Sequence, residues 1–260
     1  MRRDMQPPSP LACSGHFAAA LCRPDEPVFA IGDVHGKLTA FNRALDYAAG
    51  LIDEGRAARA ILLGDLIDRG QSSLACLRLV ADFRKAYRCD LLLGNHEQFM
   101  FATLSHPDAE MRRRAAVDWG RNGGEWAAGM LHQLPDMLEH LSLDIDEWAP
   151  WAVTGNVLFV HAGVPAGADD AHLNAFLAQG KLEMPRARGS SHPHWAWIRS
   201  GFLEASEPWP GHFVVHGHTK GDYTARPAVG RMNLDASKRG EVASALVSEG
   251  ELEFLSFGDG

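Results

Sequence analysis

Short apolar runs alternate with amphipathic segments through the first part of the chain. Residues 28–31, 60–63 and 90–93 are largely apolar runs that are each followed by a glycine, as buried strands often are. Residues 38–52 and 72–87 instead carry apolar side chains at helical spacing. An order of strand, helix, strand, helix, strand predicts parallel pairing of the three strands.

The pattern changes after this unit. Residues 97–150 are rich in Trp, Met, Arg and Glu, and their helical spacing without a clear strand predicts a helical insert. Strands are predicted again after Pro150, at 157–160, 213–215, 231–234, 242–247 and 251–257. We therefore expect one α/β domain over residues 27–260.

The composition excludes several classes of protein. With 46% hydrophobic and 22% charged residues, the chain has an ordinary globular composition, which excludes disorder over its whole length. A net charge of -8 argues against a general nucleic-acid surface, so we expect no nucleic-acid partner. No apolar run approaches the roughly 18 residues of a membrane span, so we expect no membrane partner either.

The first 26 residues need a separate interpretation. Two arginines at 2–3 precede an apolar-leaning stretch at 11–21, which superficially resembles a secretion signal. Nearby prolines and polar residues interrupt it, whereas a signal needs an unbroken apolar run of about 7–15 residues. We predict a flexible leader over residues 1–26. The four cysteines form no C-x-x-C pair and fit a reducing compartment, so we expect a cytoplasmic location.

Five predicted strand ends carry side chains that can bind a metal ion. The motifs are Gly32-Asp33-Val34-His35-Gly36, Gly64-Asp65-Leu66-Ile67-Asp68-Arg69-Gly70, Gly94-Asn95-His96-Glu97, Val160-His161-Ala162-Gly163 and Val215-His216-Gly217-His218-Thr219. In open α/β sheets, ligands bind at the carboxyl ends of the strands. A lone Gly-Asp after a strand is usually a turn, and a lone His is usually a structural residue. Turns would explain the Gly and Asp residues at these strand ends but not the His and Asn residues. The sequence therefore predicts a site where the five ends meet.

The candidate ligands are of hard and borderline type, with no thiolate among them. They are Asp33, His35, Asp65, Asn95, His161 and His218. Carboxylate, imidazole and amide oxygen suit Mn²⁺, Fe or Zn²⁺. Six side chains are too many for one tetrahedral ion, whereas one bridging carboxylate could serve two ions about 3.5–4 Å apart. We therefore expect two divalent ions, with Mn²⁺ as the first candidate and Fe or Zn²⁺ as the others.

Together these motifs resemble those of the calcineurin-type metallophosphoesterases, and within them the bacterial and phage branch of the Ser/Thr protein phosphatase family. The resemblance extends over about residues 28–257, and it includes Trp119-Gly120-Arg121-Asn122-Gly123-Gly124 and Trp197-Ile198-Arg199-Ser200-Gly201-Phe202-Leu203. It implies a four-layer α/β fold, in which a central β-sandwich of two mixed sheets is flanked by helices and carries the helical insert.

The resemblance also implies a role for each metal ligand. Asp33 and His35 would bind the first ion, Asp65 would bridge the two ions, and Asn95, His161 and His218 would bind the second.

Four further residues would act on the substrate. The resemblance implies that His96 is the general acid and that Asp68 holds it. It also implies that Arg69 and Arg199 hold phosphate oxygens, which suits the bidentate fork of a guanidinium. The chemistry needs such groups, because an alkoxide leaving group requires a proton and a positioned His supplies it for a factor of ~10²–10⁴.

Three positions depart from the family pattern. His216 stands where some members have an aromatic residue, Lys220 stands where Pro is common, and residues 233–237 replace the usual Asp-Thr-Gly. Because His218 keeps the ligand position, we expect His216 to line the site or to contact a backbone group.

The implied reaction is hydrolysis of a phosphomonoester by a metal-activated hydroxide, on phosphoserine or phosphothreonine in proteins or on small phosphate esters. An alternative on the same scaffold is a pyrophosphohydrolase that cleaves diadenosine tetraphosphate or an RNA-cap-like substrate. Asp68 favours the phosphatase, because such pyrophosphohydrolases commonly lack an Asp at this position. Glu97 favours it too, because it stands in place of an Asp after the Asn-His pair. A non-catalytic scaffold is a third hypothesis, which the complete ligand set disfavours. Substrate selectivity would come from residues 97–150 and 166–194.

Overall fold

Eleven strands and six α-helices make up the part of the chain that the structure, a computed structural model, describes. That part comprises residues 14–18, 22–167, 169–184, 193–206, 209–220 and 230–258. The strands are β1 Ser14–Ala18, β2 Val28–Ile31, β3 Arg59–Leu62, β4 Cys89–Leu92, β5 Trp148–Ala149, β6 Trp151–Thr154, β7 Val157–Val160, β8 Phe213–His216, β9 Arg231–Asn233, β10 Glu241–Ser248 and β11 Glu251–Gly258. The helices are α1 Leu38–Asp53, α2 Ser73–Ala86, α3 Asn95–Ser105, α4 Ala109–Arg121, α5 Leu134–His140 and α6 Asp170–Leu177. Short 3₁₀ turns occur at Gly124–Ala127, Ile145–Glu147 and Ser237–Arg239.

The strands form two mixed sheets. The first has the order β1-β11-β10-β2-β3-β4-β5, in which β2 to β5 run parallel and the β10–β11 hairpin pairs antiparallel with β2 and β1. The second has the order β6-β7-β8-β9, in which β7, β8 and β9 run parallel and β6 is antiparallel. The sequence-predicted parallel unit of β2, β3 and β4 is therefore present.

The two sheets face each other across a shared apolar core. Ala30 and Ile61 of the first sheet and Phe159 and Val215 of the second are completely buried in one cluster. Alternate residues on the same strands point the other way, because successive side chains of a strand lie on opposite faces. This arrangement makes the pair of sheets a sandwich.

Helices cover the outer face of the first sheet. The buried positions of α1 recur every three or four residues and form one apolar stripe; they are Ala40, Phe41, Ala44, Leu45, Ala48 and Leu51. Phe41 is buried in the same cluster as Phe29 and Ile31 of β2. Burying a side chain of this size contributes about 1.5–3 kcal/mol. The predicted fold, a sandwich of mixed sheets flanked by helices, is confirmed.

Part of the predicted flexible leader is a strand. Within residues 1–26, β1 pairs antiparallel with β11, from Ser14 opposite Leu255 to Ala18 opposite Glu251. The partner lies near the other end of the sequence, so no local pattern of the leader could reveal this pairing. Residues 1–13 and 19–21 lie outside the described residues.

The segment predicted as a helical insert at 97–150 contains most of α3, all of α4 and α5, and two 3₁₀ turns. It ends in β5, which pairs with β4, and β6 follows at once where the sequence predicted no strand. A strand of two residues is too short to show a periodic pattern, and an edge strand carries only half of the usual burial signal.

The five metal motifs follow β2, β3, β4, β7 and β8, whose carboxyl ends lie on one edge of the sandwich. Two hydrogen bonds connect the motifs across this edge. The N–H of Gly217 donates to the carbonyl of His161 at 2.8 Å, and the N–H of His218 donates to Asp33 Oδ1 at 3.1 Å. None of the helices given above is both long and apolar enough to cross a membrane.

Candidate metal centre

Strained backbone is concentrated in the loops of this edge. Among the described residues, six that are not glycine have positive φ, and five of them belong to the predicted site: His35, Asp65, Asp68, Arg69 and His218. Such conformations cost about 1–3 kcal/mol each and persist only where the surrounding structure enforces them. They turn the side chains back toward the end of the sandwich.

Asp65 and two residues of the β2 loop form a first cluster of ligand-capable atoms. His35 Nε2 lies 3.7 Å from Asp33 Oδ2 and 3.6 Å from Asp65 Oδ2. His35 Nδ1 lies 3.1 Å from the carbonyl oxygen of Ile67, which can only accept, so the proton of the neutral ring is on Nδ1. Burial holds the pKa of His35 well below its usual value. Its Nε2 therefore carries no proton and lies near both carboxylates.

A second cluster lies on the other side of Asp65. His161 Nε2 is 3.4 Å from Asp65 Oδ1 and 3.1 Å from Asn95 Oδ1, and His218 Nδ1 is 2.8 Å from the same Asn95 oxygen. His161 Nδ1 donates to the carbonyl of Leu63 at 2.8 Å. Burial lowers the pKa of His161, so the ring is neutral and its Nε2 carries no proton.

The donor atoms of both clusters fit divalent cations. Nε2 of His161, which carries no proton, faces oxygens of Asn95 and Asp65, and this contact is repulsive unless a cation lies between the atoms. Asp33 Oδ2 and His218 Nε2 are buried and have no hydrogen-bond partner among the described residues. Two ligand atoms that are each 2.0–2.2 Å from an ion lie roughly 2.8–3.6 Å apart, and the separations observed are close to this range. The structure thus brings all six predicted ligands together.

Charges around the two central carboxylates differ. Burial alone would raise the pKa of Asp65, but His161, His96, His35 and nearby Arg69 hold it well below its usual value. At Asp33 the N–H of His218 and the charge of Arg69 act in the same direction, but burial, followed by the charges of Asp235 and Asp65, outweighs them and raises its pKa well above the usual range. Cations bound at this place would counter the repulsion between these carboxylates.

His96 and Asp68 form a buried pair beside the first cluster. His96 Nδ1 lies 2.6 Å from Asp68 Oδ2, and the opposite atom, Nε2, lies 3.8 Å from Asp65 Oδ2. His96 is therefore itself close enough to Asp65 and His35 to be a possible ligand, a role that the sequence did not predict. The bond to Asp68 leaves Nε2 as the atom that faces the cluster.

The two predicted phosphate-binding arginines differ in how closely the structure connects them to the site. The guanidinium of Arg69 donates to Nε2 of His35 and, at 2.9 Å, to Nε2 of His96. Arg199 is close enough to lower the pKa of His218 through its charge, after burial and His161. Both cations thus lie near the edge where a negatively charged substrate would meet the clusters.

A sequence profile of the calcineurin-like phosphoesterases matches residues 26–242. The chain belongs to this family. Its clusters of Asp and His are positioned to bind metal, which fits a family of metallophosphoesterases.

Relatives of this phosphoesterase carry two kinds of name. The symmetrical bis(5'-nucleosyl)-tetraphosphatase of Thioalkalivibrio sulfidiphilus is 29% identical over 167 residues, 64% of this chain and 54% of that protein. Serine/threonine-protein phosphatase 1 of Salmonella typhimurium is 28% identical over 145 residues, 54% of this chain and 60% of that protein. The chain thus spans about half the length of the curated relatives it matches.

The fold is also found among solved structures. The crystal structure of a putative diadenosine tetraphosphatase superposes with a TM-score of 0.51 at 16% identity, over 94% of this chain and 100% of that one. At this identity the likeness shows the shared fold of the phosphoesterase and nothing about its substrate.

Glu97 has a structural role that sequence reasoning missed. Its carboxylate accepts backbone N–H groups from Asp65, Leu66, Ile67 and Gly94, so it holds the β3 loop against the start of α3. Burial and then the charge of Asp65 raise its pKa to about 8, whereas the N–H groups of Asp65 and Leu66 that donate to the carboxylate act in the opposite direction. The signal available in the sequence was an acidic residue in the first turn of a helix.

One histidine and one carboxylate near the centre differ from the ligands. His216 contacts the ring of Phe202 edge-on, and burial lowers its pKa to about 3, so it is a neutral buried residue. Its Nδ1 lies 3.1 Å from the carbonyl of Gly217, a backbone contact of the kind expected from the sequence. Asp235, in the loop that departs from the family pattern, is completely buried and acts on Asp33 through its charge.

Proposed function

We propose that this phosphoesterase is a metal-dependent hydrolase that cleaves bis(5'-nucleosyl) tetraphosphates symmetrically. One observation carries the reaction class: the two carboxylate oxygens of Asp65 face different clusters, Oδ2 toward His35 and Oδ1 toward His161. A single side chain placed in this way can serve two ions. Two-metal sites of this kind act on phosphoryl groups.

The residues around the clusters have separable tasks in the proposed reaction. Divalent ions held there would neutralise phosphoryl oxygens and lower the pKa of a coordinated water toward 7. Arg69 and Arg199 would bind the phosphate chain, with Arg69 exchanging its contacts to imidazole nitrogens for phosphate oxygens. His96 would donate a proton from Nε2 to the leaving oxygen. Asp68 would accept the hydrogen bond from the Nδ1–H of the same ring and so hold the ring in place.

The choice of substrate rests on the relatives and on Glu97. Proteins named symmetrical tetraphosphatases match the chain at least as well as those named protein phosphatases. The sequence argument for a protein phosphatase used Glu97 as a cue to the substrate. Because Glu97 binds backbone N–H groups of the β3 loop, its identity reflects the packing of that loop rather than the substrate. This removes one of the two reasons for preferring a phosphomonoester.

Hydrolysis of phosphoserine or phosphothreonine is the second candidate, and the buried pair of His96 and Asp68 favours it. An alkoxide leaves poorly and needs a proton, whereas a nucleoside diphosphate is a good leaving group and gains less from an acid. For either substrate we propose two ions and Mn²⁺ as the first metal to test.

A hydrolysis panel on metal-reconstituted protein tests the proposal. The substrates are diadenosine tetraphosphate, phosphoserine and phosphotyrosine peptides, para-nitrophenyl phosphate and its bis-ester. We expect the highest kcat/KM for diadenosine tetraphosphate, with two molecules of ADP as products. ATP plus AMP would contradict symmetrical cleavage, and a tenfold preference for the phosphoserine peptide would establish the second candidate instead. The Asp65→Asn variant controls for a contaminating hydrolase.

A further inference from the structure

The carboxylate of Asp68 is bound by two indoles as well as by His96. Trp119 Nε1–H donates to Oδ2 at 2.8 Å, and Trp126 Nε1–H donates to Oδ1 at 2.7 Å. The Asp68 side chain is completely buried, and its backbone N–H donates to the hydroxyl of Ser73 at 2.9 Å. Each carboxylate oxygen therefore has its own indole donor, and only Oδ2 is shared with the imidazole.

Both indoles come from the helical insert, which is remote in sequence from the β3 loop. Trp119 lies in the last turn of α4 and Trp126 in the following 3₁₀ turn, and their rings meet edge to face at 89° with centroids 6.0 Å apart. Between them, Gly123 has φ of 108°, and a Cβ there would lie 2.6 Å from the backbone nitrogen of Arg69. The segment 119–126 thus rests directly against residues 68–69.

The loop that this segment contacts is held in an unfavourable conformation. Asp68 and Arg69 are consecutive left-handed residues, with φ of 73° and 64°, and neither is a glycine. Such a conformation persists only where surrounding contacts enforce it. The two indole bonds to a buried carboxylate are contacts of this kind, because hydrogen bonds to an ionised acceptor are short and strong.

We propose that Trp119 and Trp126 are positioning residues for proton donation by His96. By fixing both oxygens of Asp68, they keep the Nδ1–H of His96 bonded to the carboxylate and its Nε2 directed at the leaving oxygen. Once Arg69 has released Nε2 to bind phosphate, Nε2 can take up a proton. As hydroxide forms its bond to phosphorus and the P–O bond to the leaving group breaks, this proton moves to the leaving oxygen, the ring becomes neutral, and Asp68 stays ionised. The inference rests on the proposed hydrolase function, which it extends to the insert.

Another tryptophan of the same insert supplies a matched control. The indole of Trp148 donates to the backbone carbonyl of Leu143 at 3.1 Å, and the side chain is completely buried. Trp148→Phe removes an indole N–H donor, as Trp119→Phe and Trp126→Phe do. Unlike those two changes, it removes no hydrogen bond to Asp68.

The first experiment detects the hydrogen bonds themselves and needs no substrate. The chain has seven Trp residues and hence seven indole N–H resonances in a ¹⁵N-correlated NMR spectrum. Trp119→Phe and Trp126→Phe assign two of them. We expect Asp68→Asn to move both resonances upfield and to leave that of Trp148 in place. Unchanged positions of both resonances in Asp68→Asn would overturn the inference.

The second experiment separates positioning from mere packing by the leaving group. Phenyl phosphate, whose leaving group is poor, and para-nitrophenyl phosphate, whose leaving group is good, are compared on Mn²⁺-loaded protein. We expect Trp126→Phe and Trp119→Phe to lower kcat about tenfold on phenyl phosphate and less than about threefold on the nitrophenyl ester, within the ~10²–10⁴ attributable to an acid. Metal content should stay at the wild-type value, and Trp148→Phe should not change the ratio of the two rates.

Equal losses on the two esters, or the same ratio in Trp148→Phe, would show a structural role only. Trp126 is only partly buried, so Trp126→Phe remains informative if Trp119→Phe fails to fold. The two proposals can fail separately. A phosphoesterase that ignores diadenosine tetraphosphate but shows the resonance shifts would refute the proposed substrate and keep the positioning role.

Discussion

The side chain of Glu97, in the first turn of α3, accepts the backbone N–H of Asp65 at 2.7 Å. The carboxylate thus holds in place the residue that faces both metal clusters, although it is not among the predicted ligands. Glu97→Gln would direct an amide N–H₂ group at backbone donors, so we expect a loss of about 1–3 kcal/mol in the free energy of unfolding. Metal content should fall as well.

Urea unfolding and elemental analysis measure the two effects. Glu110→Gln is the control, because Glu110 is exposed and pairs with Arg113 on the surface of α4. It should change stability by less than about 0.5 kcal/mol. Wild-type stability and metal content in Glu97→Gln would show that the loop holds its conformation without the carboxylate.

Removal of metal should abolish hydrolysis and lower the melting temperature together. Without a cation, His161 Nε2 faces the oxygens of Asn95 and Asp65 with no proton between them. We expect chelator-treated protein to melt earlier, and added Mn²⁺ to restore activity and stability, by about 2.7 kcal/mol at a hundredfold excess over Kd. Calorimetry and a hydrolysis assay on the same samples check this. Full activity in thoroughly demetallated protein would end the two-metal interpretation.

Asp65→Asn should remove more metal than the loss of a peripheral ligand. Asp65 offers one oxygen to each cluster, whereas His35 contributes to the first cluster alone. We expect elemental analysis to show loss of both ions in Asp65→Asn and of about one ion in His35→Ala. If His35→Ala loses more metal than Asp65→Asn, the bridging assignment is wrong.

His96→Asn should act most strongly on substrates with poor leaving groups. Its Nε2 is the predicted proton donor, and a serine alkoxide needs a full proton whereas a nitrophenolate does not. We expect hydrolysis of a phosphoserine peptide to slow by about 10²–10⁴ and that of para-nitrophenyl phosphate to slow less. Asp68→Asn should show the same asymmetry at smaller amplitude. Equal losses, with chemistry rate-limiting, would remove the acid role from His96.

A buried histidine away from the ligands should make the fold sensitive to acid. Burial lowers the pKa of His194 to about 4, so between pH 6.5 and 4 the unfolded chain binds a proton that the native chain does not. Stability should therefore fall as pH falls through this window, by about 3 kcal/mol for this residue. His194 Nδ1 accepts the N–H of Ala196 at 3.1 Å, and an Asn side chain can accept that bond too.

His194→Asn should accordingly flatten the pH dependence of unfolding while leaving stability at pH 7 nearly unchanged. Urea unfolding of both proteins at pH 4.5 and pH 7 measures the difference. Equal dependence in the two proteins would show that His194 becomes protonated in the native state.

The sequence predicted those parts of the fold in which local pattern and tertiary environment agree. β2 and β3 are buried along their whole length and β4 in its second half, so each gives an apolar run followed by a glycine, and the bounds differ by at most one residue. β6 escaped prediction because Trp151 and Val153 are exposed at a sheet edge, which removes the buried-strand pattern. β1 escaped because its partner, β11, is the most distant strand in the chain.

The candidate site divides in the same way. Its ligands stand in motifs at predicted strand ends, so topology alone predicts that they meet. Many contacts that support them connect residues distant in sequence, with 31 positions between Leu66 and Glu97 and 58 between Asp68 and Trp126. Such contacts depend on how α3, α4 and the turns fold back over the β3 loop, and no periodicity of the sequence encodes that path.

The position of β10 has a consequence for synthesis of the chain on the ribosome. β2, which carries the first metal motif, pairs on one side with β3 and on the other with β10, with Ile31 opposite Ser244. A nascent chain that has emerged only to residue 240 therefore displays β2 as an open sheet edge, the kind of surface that recruits other strands. Only when the β10–β11 hairpin has emerged does this edge close and the N–H of Gly32, directly before Asp33, gain its bond to the carbonyl of Ala243.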